Sequence, residues 1–175
     1  FAIGGAGAVG TAALSLARWQ GARAVAAVRQ LAQAEKLRAQ GIEAIVLPAD
    51  GTLAAAVKNL LPSGADVIID TTGAWATPAV SALATYGRLA VIVTKGEGDV
   101  NLPLRDLYRR GGSIVGVNSL LFNGADCAKL FERLRPAFEA GKLVPPGPIV
   151  ERELSSEGYR ELQAGARGKI VFTFN

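Results

Sequence analysis

Histidine and methionine are absent from the 175 residues, cysteine occurs once, at Cys127, and aromatic side chains make up only 6%. Without histidine there is no imidazole acid–base catalysis in this chain and no His-ligated metal. One cysteine excludes an internal disulfide framework and a multi-cysteine zinc site, so no metal is expected. No apolar run approaches the roughly 20 residues of a membrane-spanning helix, which argues against a membrane partner. The first residues lack the basic start and long apolar core of a signal peptide, and a cytoplasmic location is expected. The chain begins at Phe1 and contains no Met, which points to a fragment or processed product. Acidic residues are missing from the whole stretch before Glu35.

What is present is half hydrophobic, rich in glycine at 21 residues, and carries a net charge of +4. That composition suits a soluble α/β domain. The basic residues are scattered, with Arg109-Arg110 the only adjacent pair, so no nucleic-acid footprint is expected. Two readings of the charge remain: a basic groove for a polyphosphate, or a balance completed by another segment.

Strand and helix patterns alternate along the chain. Phe1-Ala2-Ile3 reads as a strand, short against the usual five or six residues. Val9, Ala12, Ala13, Leu16 and Ala17 follow at helical spacing, and Gly21 suits the helix end. Residues 24–28 read as a buried strand, 31–40 as a helix and 43–47 as a strand stopped by Pro48. Leu53, Ala56, Val57, Leu60 and Leu61 form a helical face before Pro62. Val67-Ile68-Ile69 is an apolar run typical of a strand covered on both faces. Thr77-Pro78 predicts an N-cap with Pro at the first helical position, in a helix ending near Gly87. Residues 89–93 are the fifth strand, 103–110 a short helix, 113–117 the sixth strand, and 125–140 a helix with Leu130, Phe131, Leu134 and Phe138 facing inward. Parallel strands need helical crossovers, so this rhythm predicts a doubly wound parallel six-stranded sheet of order 3-2-1-4-5-6, the Rossmann-type α/β fold. A proline-rich break at 143–148 separates residues 1–144, the expected dinucleotide-binding domain, from 145–175. The latter predicts a strand (149–153), a helix opened by Ser155 or Ser156, and a strand (169–174).

Gly5-Ala6-Gly7-Ala8-Val9-Gly10 has the G-x-G-x-x-G spacing. One glycine permits the tight turn, the next lets backbone approach a pyrophosphate, and the third brings helix and strand close. The pyrophosphate then meets the free N–H groups at the helix start. Because this hexapeptide leaves a strand and opens an amphipathic helix, it reads as a dinucleotide site. The carboxylate that accepts from the ribose 2′-OH in NAD sites is absent from the end of the second strand. Arg29 stands there instead, suited to a 2′-phosphate by its charge and fork of donors, or else simply solvated. Gln30, Gln33 and Lys36 lie close enough in sequence to share a phosphate. Adenosylmethionine-dependent methyltransferases want an acid at this place. Short-chain dehydrogenases need Y-x-x-x-K, but Tyr86, Tyr108 and Tyr159 are followed four residues later by Ala90, Gly112 and Gln163.

The stretches GGAGAVGTAALSLARWQGA, ADVIIDTTG, YGRLAVI, LRDLYRRGGSIVGVNSL and LRPAFEAGKLVPP…YRELQAGARGKIVFTF, in that order, resemble the C-terminal part of medium-chain dehydrogenases/reductases. The similarity is greatest to quinone-oxidoreductase-like and zinc-type alcohol-dehydrogenase-like members. The resemblance implies a catalytic domain ahead of Phe1, with 145–175 returning to it. It implies a cofactor site from Gly5, Ala6, Gly7, Ala8 and Val9 at the pyrophosphate and Arg29 at the 2′-phosphate. Thr71, Thr72 and Gly73 follow the fourth strand, Val93 and Thr94 end the fifth, and Val117, Asn118 and Ser119 approach the nicotinamide. For Thr71-Thr72-Gly73 an ordinary turn is the competing reading. Asp70 reads as a strand-end acceptor, and Cys127 as a small buried residue. The clustered cysteines of a structural zinc lobe are missing.

The expectation is therefore the NADPH-binding portion of an oxidoreductase that passes hydride to a quinone, enone or related carbonyl acceptor. Its partners would be that small molecule and a second copy of the chain. No catalytic residue is identifiable here, and the chain alone is expected to be inactive. The alternatives are a non-catalytic NADPH-binding module and the cofactor domain of a zinc-dependent alcohol dehydrogenase.

Overall fold

A computed structural model describes residues 1–48, 52–96, 98–143, 149–153, 155–164 and 169–173. Strands β1 (Ala2–Ile3), β2 (Val25–Val28), β3 (Glu43–Val46), β4 (Ala65–Asp70), β5 (Leu83–Val91) and β6 (Ser113–Gly116) are joined by helices α1 (Ala8–Trp19), α2 (Leu31–Ala39), α3 (Leu53–Leu60), α4 (Ala76–Ala82) and α5 (Leu104–Arg109). The six strands form one sheet in the order β3-β2-β1-β4-β5-β6, parallel throughout. This is the doubly wound arrangement expected from the alternating pattern.

Alternation within the strands divides the core in two. Ala2, Ala26 and Val28 face one side and bury Leu14, Ala34 and Leu37 of α1 and α2. Ile3, Ala27, Ile68 and Leu89 face the other and meet Leu53, Val57 and Val80 of α3 and α4. Burying each Val, Leu or Ile side chain among these favours folding by about 1.5–3 kcal/mol. The brevity of β1 is offset by its place: it is hydrogen-bonded on both sides, Ile3 standing beside Ala27 of β2 and Asp70 of β4.

Several local expectations differ from the structure, among them Cys127, expected to be buried and only partly so. The buried stripe of α1 runs through Gly10 and Leu14, with Ala17 against the same cluster. It leaves Val9 exposed, because contact between Gly10 and the turn fixes the helix's rotation. Helix α4 begins at Ala76, so Thr77 is not the N-cap and Pro78 is its third residue. The Trp75 N–H instead donates to Asp70, which pins the helix start early; Pro78, lacking an N–H, costs nothing in a first turn. The helix also stops at Ala82, not near Gly87. Leu83 already pairs with Ala65, and a register shift accommodates residues 84–87 before Arg88 pairs with Val67. Tyr86 there adopts φ +60. Finally, α6 (Gly124–Glu139) forms as expected, but Leu130, Phe131 and Phe138 are 45%, 69% and 45% exposed. Their spacing makes the helix amphipathic without supplying an element to cover that face.

Strands β7 (Ile149–Glu153) and β8 (Lys169–Thr173) pair parallel in a sheet of their own, linked by α7 (Ser156–Gln163). Ser155 settles the helix start, its Oγ accepting from the Gly158 N–H at 3.3 Å. The Tyr159 ring stacks on Phe172 with centroids 4.8 Å apart. Most of the break at 143–148 and Phe174 lie outside the described residues. Among the described residues no helix is long and apolar enough to cross a membrane.

Candidate functional site: a cavity over the glycine turn

The chain leaves β1 through Gly4, whose φ of +77 makes the sharp turn. Only glycine adopts that conformation without cost. The Gly4 and Gly5 N–H groups both donate to the Ala27 carbonyl, and the Gly7 N–H to that of Gly4 at 2.9 Å. Thr11 Oγ1 donates to the Gly7 carbonyl at 2.8 Å and lies 3.2 Å from that of Gly5. The turn is thus held from below.

Its glycines have separate duties. A Cβ on Gly5 would stand 2.6 Å from Ala26 Cβ, and one on Gly10 2.4 Å from the Gly4 oxygen. These two bring β1, β2 and α1 together. A Cβ on Gly7 would meet only the Gly4 oxygen, at 3.3 Å, and Gly7 lines the open space above. Gly7 is also the N-cap of α1, which has no side-chain cap and no acid in its first turn. No described residue accepts from the N–H groups of Ala6, Ala8 or Val9. Free donors at the positive end of a helix dipole are a ready anion site.

Above the turn is a cavity of about 400 Å³, within the range of small-molecule sites. Among the residues named from sequence it gathers Ala6, Gly7, Arg29, Thr71 and Thr72. Gly5, Ala8, Val9, Gly73, Val93, Thr94, Val117, Asn118 and Ser119 are not in its lining. Gly73 packs beneath, where a Cβ would sit 2.8 Å from the Thr94 backbone. Asn118, past the edge strand β6, uses its side chain to cap a 3-10 turn through the Leu120 N–H. Of the three possible partners for Arg29, only Gln33 reaches the cavity.

Gly4, Leu47, Trp75 and Lys95 also line it and were missed from sequence. The doubled glycine at 4–5 was the available signal for Gly4. The others follow β3, β4 and β5, and ligands bind outside the carboxyl ends of strands at a switch point. Applied two residues further past each strand, that rule would have included Trp75. Arg29 and Lys95 are exposed, and neither is hydrogen-bonded or ion-paired to a described residue.

Asp70 holds the far wall. It is 1% exposed, and Oδ1 accepts from Thr72 N at 2.8 Å, Thr72 Oγ1 at 2.8 Å and Gly73 N at 3.1 Å, while Oδ2 accepts from Trp75 N at 2.9 Å. Losing the carboxylate would strand these donors, at about 1–3 kcal/mol for each one left buried. It is the strand-end acceptor expected. Thr71 Oγ1 and N both donate to the Ile3 carbonyl, locking the loop to β1.

The residues fit a dinucleotide: a glycine with space above it, uncapped helix donors and two unpaired cations. They do not fit a zinc centre. The sequence offers no His and one Cys, and among the described residues no three or more His, Cys, Asp and Glu converge.

The model of the family described as zinc-binding dehydrogenase matches residues 8–135. A zinc-type alcohol dehydrogenase-like protein of Schizosaccharomyces pombe is 32% identical over 118 residues, 63% of this chain and 36% of that protein. Among solved structures, a probable oxidoreductase from Mycobacterium abscessus is 29% identical with a TM-score of 0.72, over 99% of this chain and 53% of that one. A mycobacterial quinone oxidoreductase shares the fold at TM-score 0.82 and 20% identity, over 99% and 55%. The chain thus spans about a third of the curated relative and about half of these solved chains. With the family model covering most of its length, the chain belongs to the zinc-binding dehydrogenase family, within the medium-chain dehydrogenase/reductase superfamily of nicotinamide-dependent oxidoreductases.

Proposed function

We propose that the chain is the NADPH-binding portion of an oxidoreductase whose acceptor is a quinone, enone or related carbonyl compound. The observation that carries this is Arg29, unpaired at the cavity rim where a carboxylate would serve NADH. The N–H groups of Ala6, Ala8 and Val9 take the pyrophosphate, and Arg29 with Gln33 takes the 2′-phosphate. Thr71 and Thr72 wall the crevice, with Gly73, Val93 and Thr94 shaping it from behind. The bound cofactor supplies the hydride, while the protein supplies orientation and electrostatics. The acceptor class draws on the quinone-oxidoreductase-like stretches of sequence and on the fold shared with the mycobacterial enzyme. Residues 145–175 would return to a catalytic domain that holds the acceptor, and the parent would work in the cytoplasm. In calorimetry NADPH should bind this chain at one site, while turnover with quinones, enones and aldehydes stays near background. Absence of binding, or robust turnover, would sink the reading. The zinc-type relative favours a second reading, a zinc-dependent alcohol dehydrogenase as parent, which metal analysis of a parent carrying the catalytic domain decides.

We also propose a homodimer through β6. Among the described residues this strand pairs with β5 on one side only, and the apolar Val115 and Val117 near its other edge are each 44% exposed. Exposed edges template pairing. Sedimentation at micromolar concentration should show a dimer, and a clean monomer counts against it.

A further inference from the structure

Lys95 is a cation that no motif explains. It lies four residues beyond the end of β5 at Val91, yet lines the same cavity as Arg29. Arg29 follows β2. In the order β3-β2-β1-β4-β5-β6 the two therefore flank the glycine turn from opposite sides. Strands β2 and β5 are three steps apart, or roughly 14 Å at the usual interstrand spacing. A dinucleotide whose 2′-phosphate sits at Arg29 crosses the turn with its pyrophosphate and ends with its nicotinamide on the Lys95 side. This placement rests on the cofactor reading above.

The chemistry at that end differs between the two redox forms. The oxidised nicotinamide ring carries one positive charge and the reduced ring carries none; the phosphates are the same in both. On the Lys95 side the lining residues Thr71, Thr72, Ala74 and Trp75 are uncharged. No carboxylate lines the cavity among the described residues. Asp70, the acid at this strand end, is buried with its oxygens taken by four donors. Among the described residues nothing in the lining compensates a positive ring, and the Lys95 ammonium opposes it.

We propose that Lys95 sets the redox preference of the site, so that the reduced cofactor binds more tightly than the oxidised one. Arg29 cannot do this. It follows β2, on the other side of the glycine turn from Lys95, and it meets a phosphate common to both forms. The two cations divide the work: Arg29 selects the phosphorylated dinucleotide and Lys95 its oxidation state.

The test is the ratio of dissociation constants, NADP⁺ over NADPH, measured on this chain by calorimetry at low salt. Unit charges a few ångströms apart near a surface interact strongly enough for a ratio of roughly three- to tenfold in the unmodified chain. Tenfold corresponds to about 30 mV for a two-electron couple. Lys95→Gln should bring the ratio close to one, chiefly by tightening NADP⁺ relative to NADPH. Lys95→Arg should keep it, and raising the salt should shrink it. Arg29→Ala should weaken both nucleotides and leave the ratio unchanged. A ratio near one in the unmodified chain, or one that survives Lys95→Gln, overturns the proposal. So does an equal fall in Arg29→Ala, which would assign the effect to the whole pocket. If neither nucleotide binds the unmodified chain, the cofactor reading itself has failed, and the inference with it.

Discussion

Gly7→Val is expected to abolish NADPH binding while the chain still folds. At Gly7 φ is −77 and ψ 170, extended backbone that any residue adopts, and the poorer cap that valine makes for α1 costs only about 1 kcal/mol. The added Cβ meets only the Gly4 oxygen, at 3.3 Å, a contact relieved by a shift of a few tenths of an ångström. The branches beyond it enter the cavity where the helix donors await an anion. A pyrophosphate cannot approach backbone through a branched side chain, so affinity should fall by more than about a hundredfold, or roughly 2.7 kcal/mol. Gly10→Ala is the internal contrast. Its methyl would sit 2.4 Å from the Gly4 oxygen and 2.8 Å from Gly5 Cα, backbone atoms of a turn that hydrogen bonds to Ala27 and from Gly7 hold in place. Overpacking of this kind costs about 1–3 kcal/mol, or roughly 2–12 °C in Tm for a chain of this size. Calorimetric titration, with circular dichroism melts on the same samples, separates the two outcomes. NADPH affinity unchanged in Gly7→Val would move the site away from the turn.

The same turn marks how far the sequence could be read. Six parallel strands in the observed order followed from the alternation of apolar runs and helical faces, because burial on both sides of a sheet leaves a strong local imprint. The glycine spacing was also legible, but assigning the tight turn to the hexapeptide passed over Gly4, whose positive φ is visible only in the backbone. Thr77-Pro78 carried a sound local N-cap signal. It lost to Asp70, a residue seven positions earlier whose carboxylate reaches Trp75; short-range statistics do not contain that contact. Phe131 and Phe138 show a related limit, since helical spacing reports a face and not its cover. Trp75 and Lys95 belong to no motif, and only the strand-end rule carried further past β4 and β5 reaches them. Each belongs to the cavity because β4 runs beside β1 and β5 beside β4, so that their carboxyl ends share one edge of the sheet.

Arg29 is expected to make the chain prefer NADPH to NADH. Strand β2 ends at Val28, and Arg29 then lines the cavity, as do Gln33 and Leu47, on the side of the turn where the adenosine ribose falls. A guanidinium offers a planar fork of donors and a permanent charge. It matches a phosphate and cannot accept from a ribose hydroxyl. No carboxylate precedes Glu35 to do so instead. A hydrogen bond to a charged group contributes about 1.5–3 kcal/mol, which sets the preference at roughly 10- to 150-fold. The exposure of Arg29 and screening by salt place it toward the lower end. Gln33 shares the rim, so Arg29→Ala should weaken NADPH markedly and NADH little without erasing the preference. Arg29→Asp should go further, because a carboxylate repels the 2′-phosphate and accepts from the 2′-OH, and the order of the two cofactors should reverse. The measurement is the ratio of NADPH to NADH dissociation constants in the three proteins at one fixed salt concentration. Equal binding of the two cofactors by the unmodified chain would make Arg29 an ordinary solvated side chain, and an unchanged ratio in Arg29→Ala would move the selection elsewhere on the rim.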